Sequence, residues 1–391
     1  MLCAPMSPTV SARLAYLALY AAVGASFPYF AVFYESRGLA LETIGLLTSL
    51  AAGAGLVAAP LWGAVADRFA GSRLVLPIAA AAAAAGAAAL VAARPPMLIA
   101  LAVVGMALAF SGLGPTLDAR ALETVRGNRD RYGTLRAWGS ASFIVVVWVT
   151  GALIERAGAS SMFVLYITAL LVLAVVSIPL RGTVNEIRLP RLTGIGAVLR
   201  HPPLARFLLA ILLVWSASMG VNWYLSIHLL SLGAPGELVG ASWAIGALVE
   251  VPIMWAYPWL AARVGAERLL TAGAAAFALR ALALAVVDDP LLATLTMALH
   301  GVGFGLVLVG GVTYVARHAP PAAAATAQGI LSATVFSLAL MIGPSVGSFT
   351  AAGWGAPAMF VLSCVAGLLA IPLLWVAMGQ RTQAPGAVSE A

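Results

Sequence analysis

Asp118, Arg136, Glu250, Arg280 and His300 each stand inside a long apolar stretch of this 391-residue sequence. Ionisable side chains in such surroundings are costly and mark solute or proton paths by default. Two readings fit them. In one, opposite charges pair, neutralise each other and lock helices together. In the other, they form a site that a solute or proton passes through. A carboxylate held away from water favours its protonated form, and a nearby arginine favours its ionised form. A carboxylate that alternates between water, proton and arginine therefore couples protons to a change of shape. A guanidinium stays charged at any working pH and presents a fixed fork of donors. Arg136 accordingly suits recognition, and Glu250 suits proton exchange.

The elements that hold these residues follow from composition. The chain is 62% hydrophobic and 9% charged, with a mean hydropathy of +1.02. Soluble domains carry roughly 25% charged residues, so most of this surface must face lipid. The net charge of +7 does not point to nucleic acid, because no long soluble segment carries a basic face. About 20 apolar residues make a transmembrane helix. The sequence offers twelve such spans: 12–34, 44–66, 74–93, 97–122, 133–154, 160–180, 205–230, 237–260, 268–287, 291–315, 325–350 and 356–378. Helices satisfy their own backbone in lipid, so the expected fold is an all-α membrane protein of twelve transmembrane helices in two six-helix bundles. The first span is preceded by no basic signal region and is expected to be retained.

Spacing sets the depth of each charge. Taking the turn between spans four and five at residue 127, Asp118 lies nine residues before it and Arg136 nine after. Both then sit ~13 Å from the turn. Glu250 and Arg280 lie fifteen residues either side of residue 265, each ~22 Å from that turn. His300 falls within ~6 Å of the depth of Arg280, counted from the turn at Asp288 and Asp289. Each half is thus expected to hold an acid and an arginine at matched depth.

Arginine in the loops sets orientation. Arg68, Arg73, Arg126, Arg129, Arg131, Arg181, Arg188, Arg191, Arg200, Arg263, Arg268 and Arg317 fall on one side. The other side holds only Arg37, Arg94 and Arg156 among several acids. The arginine-rich side is expected to be cytoplasmic, with both termini there and the protein in the inner membrane. The longest polar stretch, 181–204, reads as a cytoplasmic linker between bundles 1–180 and 205–391. The segment 61–73 is echoed at 257–268, which is the mark of parallel repeats with a solute site between them. Asp67, Arg68 and Arg73 read either as a helix end with positive-inside charge or as a cytoplasmic gate. As a gate, the acid would accept from donors at a neighbouring helix N-terminus.

Three stretches carry a family likeness. They are Gly24-Ala25-Ser26-Phe27-Pro28-Tyr29-Phe30, Pro60-Leu61-Trp62-Gly63 continuing through Asp67 and Arg68 to Gly71 and Arg73, and Tyr132-Gly133-Thr134-Leu135-Arg136-Ala137-Trp138-Gly139-Ser140. With them the chain resembles the major facilitator superfamily, and within it the lactose permease and phenylpropionate permease branch. The resemblance implies that Asp118 and Arg136 bind substrate, with Phe143 where the branch has a helix-five aromatic. It implies that Arg280 and His300 belong with Glu250 to a proton-coupling group. Two departures stand out. Gly303 occupies the place of an expected acid one turn after the histidine, and Glu250 sits about one turn further along helix eight.

Further candidates are open to two readings. Asn222, Trp223, Tyr224 and His228 fit either an interfacial anchor or a solute site, and Phe27 with Tyr16, Tyr20 and Tyr29 fits either a cavity wall or a lipid face. Gly343-Pro344-Ser345-Val346-Gly347 and Gly301-Val302-Gly303-Phe304-Gly305 read as close helix packing, because neither follows a strand. Cys3 and Cys364 have no metal spacing, and no cofactor or metal is expected. The leading expectation is a monomeric, proton-coupled symporter of a small organic solute. An exporter of amphipathic compounds on the same fold is the alternative. A hydrolase using Ser345 and His300 is the reading from another class.

Overall fold

The computed structural model describes residues 7–69, 72–125, 129–180, 193–320 and 323–379. Much of the expected linker (181–192), Gly71 and both ends of the chain lie outside these, as does the side chain of Asp67.

The described residues are helical and contain no strand. α1 is a bent pair, Pro8–Ser26 and Phe30–Ser36, at 41° to each other. The bend falls at Phe27-Pro28-Tyr29, where Pro28 removes a backbone donor from the ladder. α2 is Leu41–Arg68, α3 Val75–Ala92, α4 Pro96–Thr124, α5 Arg129–Ala157 and α6 Ala159–Val176. α7 is Pro202–Ser231, α8 Gly236–Val264, α9 Ala266–Val286 and α10 Pro290–His318. The apolar run Ala324–Met378 is two spans, α11 (324–354) and α12 (356–378). They part at Gly355, whose φ of 85° lies in the left-handed region that favours glycine. With that break the described residues contain twelve spans, in agreement with the sequence expectation. A π-helical turn, Thr334–Leu338, interrupts α11.

α1 packs on α5 and α6, and α3 on α4 and α6. After residue 192, α7 packs on α11 and α12, and α9 and α8 pack on α10. Helices early and late in the chain meet along two seams, α5 with α8 and α2 with α11. Small residues make both approaches possible. A Cβ on Gly151 would stand 2.1 Å from the Gly236 carbonyl oxygen, and one on Gly240 2.7 Å from the Val147 oxygen. A Cβ on Gly45 would stand 2.9 Å from Ser348 Cβ. These contacts lie toward the ends of the helices away from the arginine-rich loops.

The two glycine-rich sequences that resembled catalytic or nucleotide loops are packing surfaces. Gly343 meets the Ser216 carbonyl of α7, and Ser345 Oγ donates to Gly45 O at 3.1 Å. Gly301 packs on the backbone of α8, and Gly303 on the ring of Phe277.

Candidate functional site

Asp118 on α4 and Arg136 on α5 come together as their equal depths require, with Nη1 3.7 Å from Oδ2. Tyr16 on α1 donates its hydroxyl to Asp118 Oδ1 at 2.6 Å. The Tyr16 ring meets Tyr132 edge-on at 6.4 Å, and the Tyr20 ring lies over Gly139, where a Cβ would come within 2.6 Å of it. The Arg136 and Asp118 side chains are 52% and 38% exposed. Half-exposed charges in mid-span face a water-filled space rather than lipid. With the seams closed at the far end, that space opens toward the arginine-rich loops.

Glu250 on α8 lies within electrostatic reach of this group. Tyr20 lies within electrostatic reach of Asp118, Arg136, Tyr132 and Glu250, and the charged neighbour acting on Glu250 is Arg136. The expected pairing of Glu250 with Arg280 is not found. Counting residues from a shared turn gives depth along a helix but not the direction a side chain takes around it. Arg280 turns instead to Asn222 on α7 and Met297 on α10.

Arg280 forms a separate cluster. It is 1% exposed. Its Nη1 donates to Asn222 Oδ1 at 2.6 Å and its Nη2 to Met297 Sδ at 3.1 Å, while Nε has no partner. No carboxylate lies within 4.0 Å of it among the described residues. His300 is buried close by, between the rings of Phe277 and Phe304 at 5.6 and 5.7 Å, with Nδ1 unpartnered. Asn222, expected to face a solute or the membrane interface, is buried and holds Arg280. His228 is likewise buried, edge-on to Phe360 at 4.8 Å.

The aromatic residues of α1 divide by height. Tyr16 and Tyr29 are each 1% exposed and line neither open cavity nor lipid. Phe27 sits edge-on to Trp223 at 5.8 Å and Trp243 at 5.6 Å, so it joins α1 to α7 and α8 at the closed end. Beside it Tyr29 donates to the Val147 carbonyl at 2.7 Å. Phe143, two turns along α5 from Arg136, is half-buried against the core. Ser345 bonds to Gly45 and to Ser49 on α2, so it is part of the α2–α11 seam.

Arg68 and Arg73 end and follow α2 on the open side, and both are exposed. The Arg68 guanidinium stands 6.0 Å from the Phe69 ring. One buried arginine was not read from the sequence. Arg120, on α4 two residues past Asp118, is 3% exposed and donates to Leu180 O at 2.8 Å and to Ser72 O at 3.0 Å. It thereby ties the end of the first six spans to the α2–α3 loop. Its signal in the sequence was its place two residues from Asp118, on the opposite face of the same helix.

The model of the MFS_1-like family matches residues 10–362. The chain is 29% identical to the maltose permease of Geobacillus stearothermophilus over 92% of this chain and 93% of that one. It is 30% identical to a probable 3-phenylpropionic acid transporter of Escherichia coli (strain K12) over 61% and 64%. The crystal structure of the nucleoside transporter NupG superposes with a TM-score of 0.84 at 16% identity, covering 95% of this chain and 99% of that one. The inward-facing, occupied structure of a bacterial homologue of Spinster gives 0.77 at 12% identity, covering 95% and 96%. These relatives are transporters and not hydrolases. The chain therefore belongs to the MFS_1-like family, as a multi-pass membrane transporter of small solutes with the major facilitator fold.

Proposed function

We propose that this protein is a proton-coupled symporter of a small organic solute in the inner membrane. It works by alternating access between bundles 1–180 and 205–391, joined by the 181–204 linker, with its arginine-rich face and both termini cytoplasmic. The observation that carries the reading is the meeting of Asp118 and Arg136 with Glu250, from early and late helices, around one water-open space. Arg136, held by Asp118 and flanked by phenols, has the fixed donor fork that recognises a polar or anionic solute. Phe143 offers an apolar surface on the same face of α5. Glu250 lies within electrostatic reach of that guanidinium and makes no ion pair with it within 4.0 Å. A carboxyl group so placed exchanges a proton as Arg136 turns to the solute and back. Phe27, between two tryptophans, closes the far end, and Asp67, Arg68 and Arg73 form the gate that closes the near end in the opposite state. The Arg280 and His300 cluster stabilises the second bundle and answers to the charge of what is bound. With a maltose permease and a probable 3-phenylpropionic acid transporter among its relatives, sugars and aryl carboxylates are the first solutes to try.

The test is uptake into proteoliposomes under an imposed pH gradient, across a panel of sugars, aryl carboxylates and nucleosides. At least one solute should accumulate when the side of entry is acidic, and a protonophore should abolish that accumulation. Transport that ignores the pH gradient for every solute would refute proton coupling.

A further inference from the structure

We propose that the buried Arg280 guanidinium is an anion receptor that takes the carboxylate of a monoanionic solute, so that solute and proton cross together without net charge. The proposal rests on the proton-coupled reading above and names its substrate class.

Arg280 is unlike the other well-held arginines of this protein. Arg120 donates to the carbonyls of Leu180 and Ser72, and Arg37 to those of Val91 and Ala93 at the end of α3. Each satisfies helix-end or loop carbonyls, a common structural use of a cation. Arg280 touches no carbonyl among the described residues. It holds one amide oxygen and a thioether, which is a weak acceptor. A buried guanidinium with an unpartnered Nε and no carboxylate is a charge awaiting an anion. The fork of an arginine fits a carboxylate with two parallel hydrogen bonds. His300 adds a second unpartnered nitrogen, and Asn222, whose oxygen faces Arg280, keeps its NH₂ as a donor.

Among the described residues, the elements around the cluster bring no acid within 4.0 Å of Arg280. α7 contributes Asn222, α10 contributes Met297 and His300, and α12 presents Gly367 to Ala278. α8 passes beside it at Gly246, where a Cβ would meet Met297 Cε at 2.8 Å and His300 Cδ2 at 3.5 Å. Glu250 is one turn along α8 from that bare point.

A monoanion and a proton carried in the same cycle cross with no net charge, whereas a neutral sugar with a proton carries one positive charge across.

The experiment measures binding of monocarboxylates and their matched primary amides to the purified full chain, beginning with 3-phenylpropionate and 3-phenylpropanamide and running through shorter homologues, with maltose beside them. At least one carboxylate is expected to bind tenfold or more tightly than its amide. Asn222→Asp places an internal carboxylate on Arg280 in nearly unchanged volume. It should abolish that preference while the melting temperature stays level or rises, which separates lost binding from lost fold. Arg280→Gln should abolish it as well. In proteoliposomes, carboxylate uptake should follow the pH gradient and ignore a potassium–valinomycin potential. No carboxylate preferred over its amide, a preference that survives Asn222→Asp, or uptake driven by the potential would each overturn the proposal. Proton-driven accumulation of maltose unaffected by Arg280→Gln would overturn it while leaving the symport reading intact. Indifference of every solute to the pH gradient would overturn both.

Discussion

Replacing Gly151 with valine should push the transporter out of the state seen here. A Cβ at Gly151 would stand 2.1 Å from the Gly236 carbonyl oxygen and 2.9 Å from Tyr29 Oη. Ordinary contact begins at 3.4 Å, so α5 and α8 must part by about 1.3 Å before the two further methyl groups are placed. Overpacking of this kind costs about 1–3 kcal/mol. The cost falls only on the state in which this seam is closed, because the opposite state separates these helix ends. At 1.4 kcal/mol per tenfold, the ratio of the two states should move by about 5- to 150-fold. The assay is labelling of Ser140→Cys, one turn along α5 from Arg136, in a background with Cys3 and Cys364 replaced. A membrane-impermeant maleimide is applied from the side opposite the arginine-rich loops. Gly151→Val should raise the labelling rate at least fivefold. Gly105→Val, where a Cβ meets nothing within 4 Å, should leave it unchanged. An unaltered rate in a folded Gly151→Val protein would refute the claim that this crossing closes the far side.

Three other outcomes follow from the site. Arg136→Ala should weaken solute binding more than tenfold, about 1.4 kcal/mol, while Tyr16→Phe, which removes the 2.6 Å bond to Asp118, should weaken it less; normal binding by Arg136→Ala, read by calorimetry, would make the Asp118–Arg136 pair structural. Asp67→Asn should slow turnover while leaving binding intact, and lost binding at unchanged expression would contradict its place in the gate. Arg120→Ala leaves two carbonyls without their charged donor, at about 1.5–3 kcal/mol each, so the melting temperature should fall while solute affinity stays within about twofold; a lost affinity at unchanged stability would move Arg120 into the solute site.

The sequence carried the spans well, because they depend on apolar length. It brought Asp118 to Arg136 since a hairpin of neighbouring helices leaves little freedom in their relative rotation. It failed on Glu250 and Arg280 for the same reason in reverse. The facing of each residue is set by helices distant in sequence, α5 for Glu250 and α7 for Arg280. Phe27 and Ser345 were legible as unusual residues but not as parts of a closure, since nothing in sequence says that α1 meets α7 and α8, or α2 meets α11. Gly151, Gly236 and Gly45 give no chemical signal at all. Their role appears only when two helix backbones are placed side by side.

The central claim is that Glu250 carries the proton that drives accumulation. Its most direct test compares wild type and Glu250→Gln in the same proteoliposomes, measuring counterflow exchange and net uptake under a pH gradient. The carboxamide mimics the protonated acid and cannot release a proton. Glu250→Gln should exchange solute across the membrane at a rate comparable to wild type and should not concentrate it. Concentration of solute by Glu250→Gln when the pH gradient is imposed would contradict the account and move the coupling carboxylate elsewhere, with Asp118 next in line.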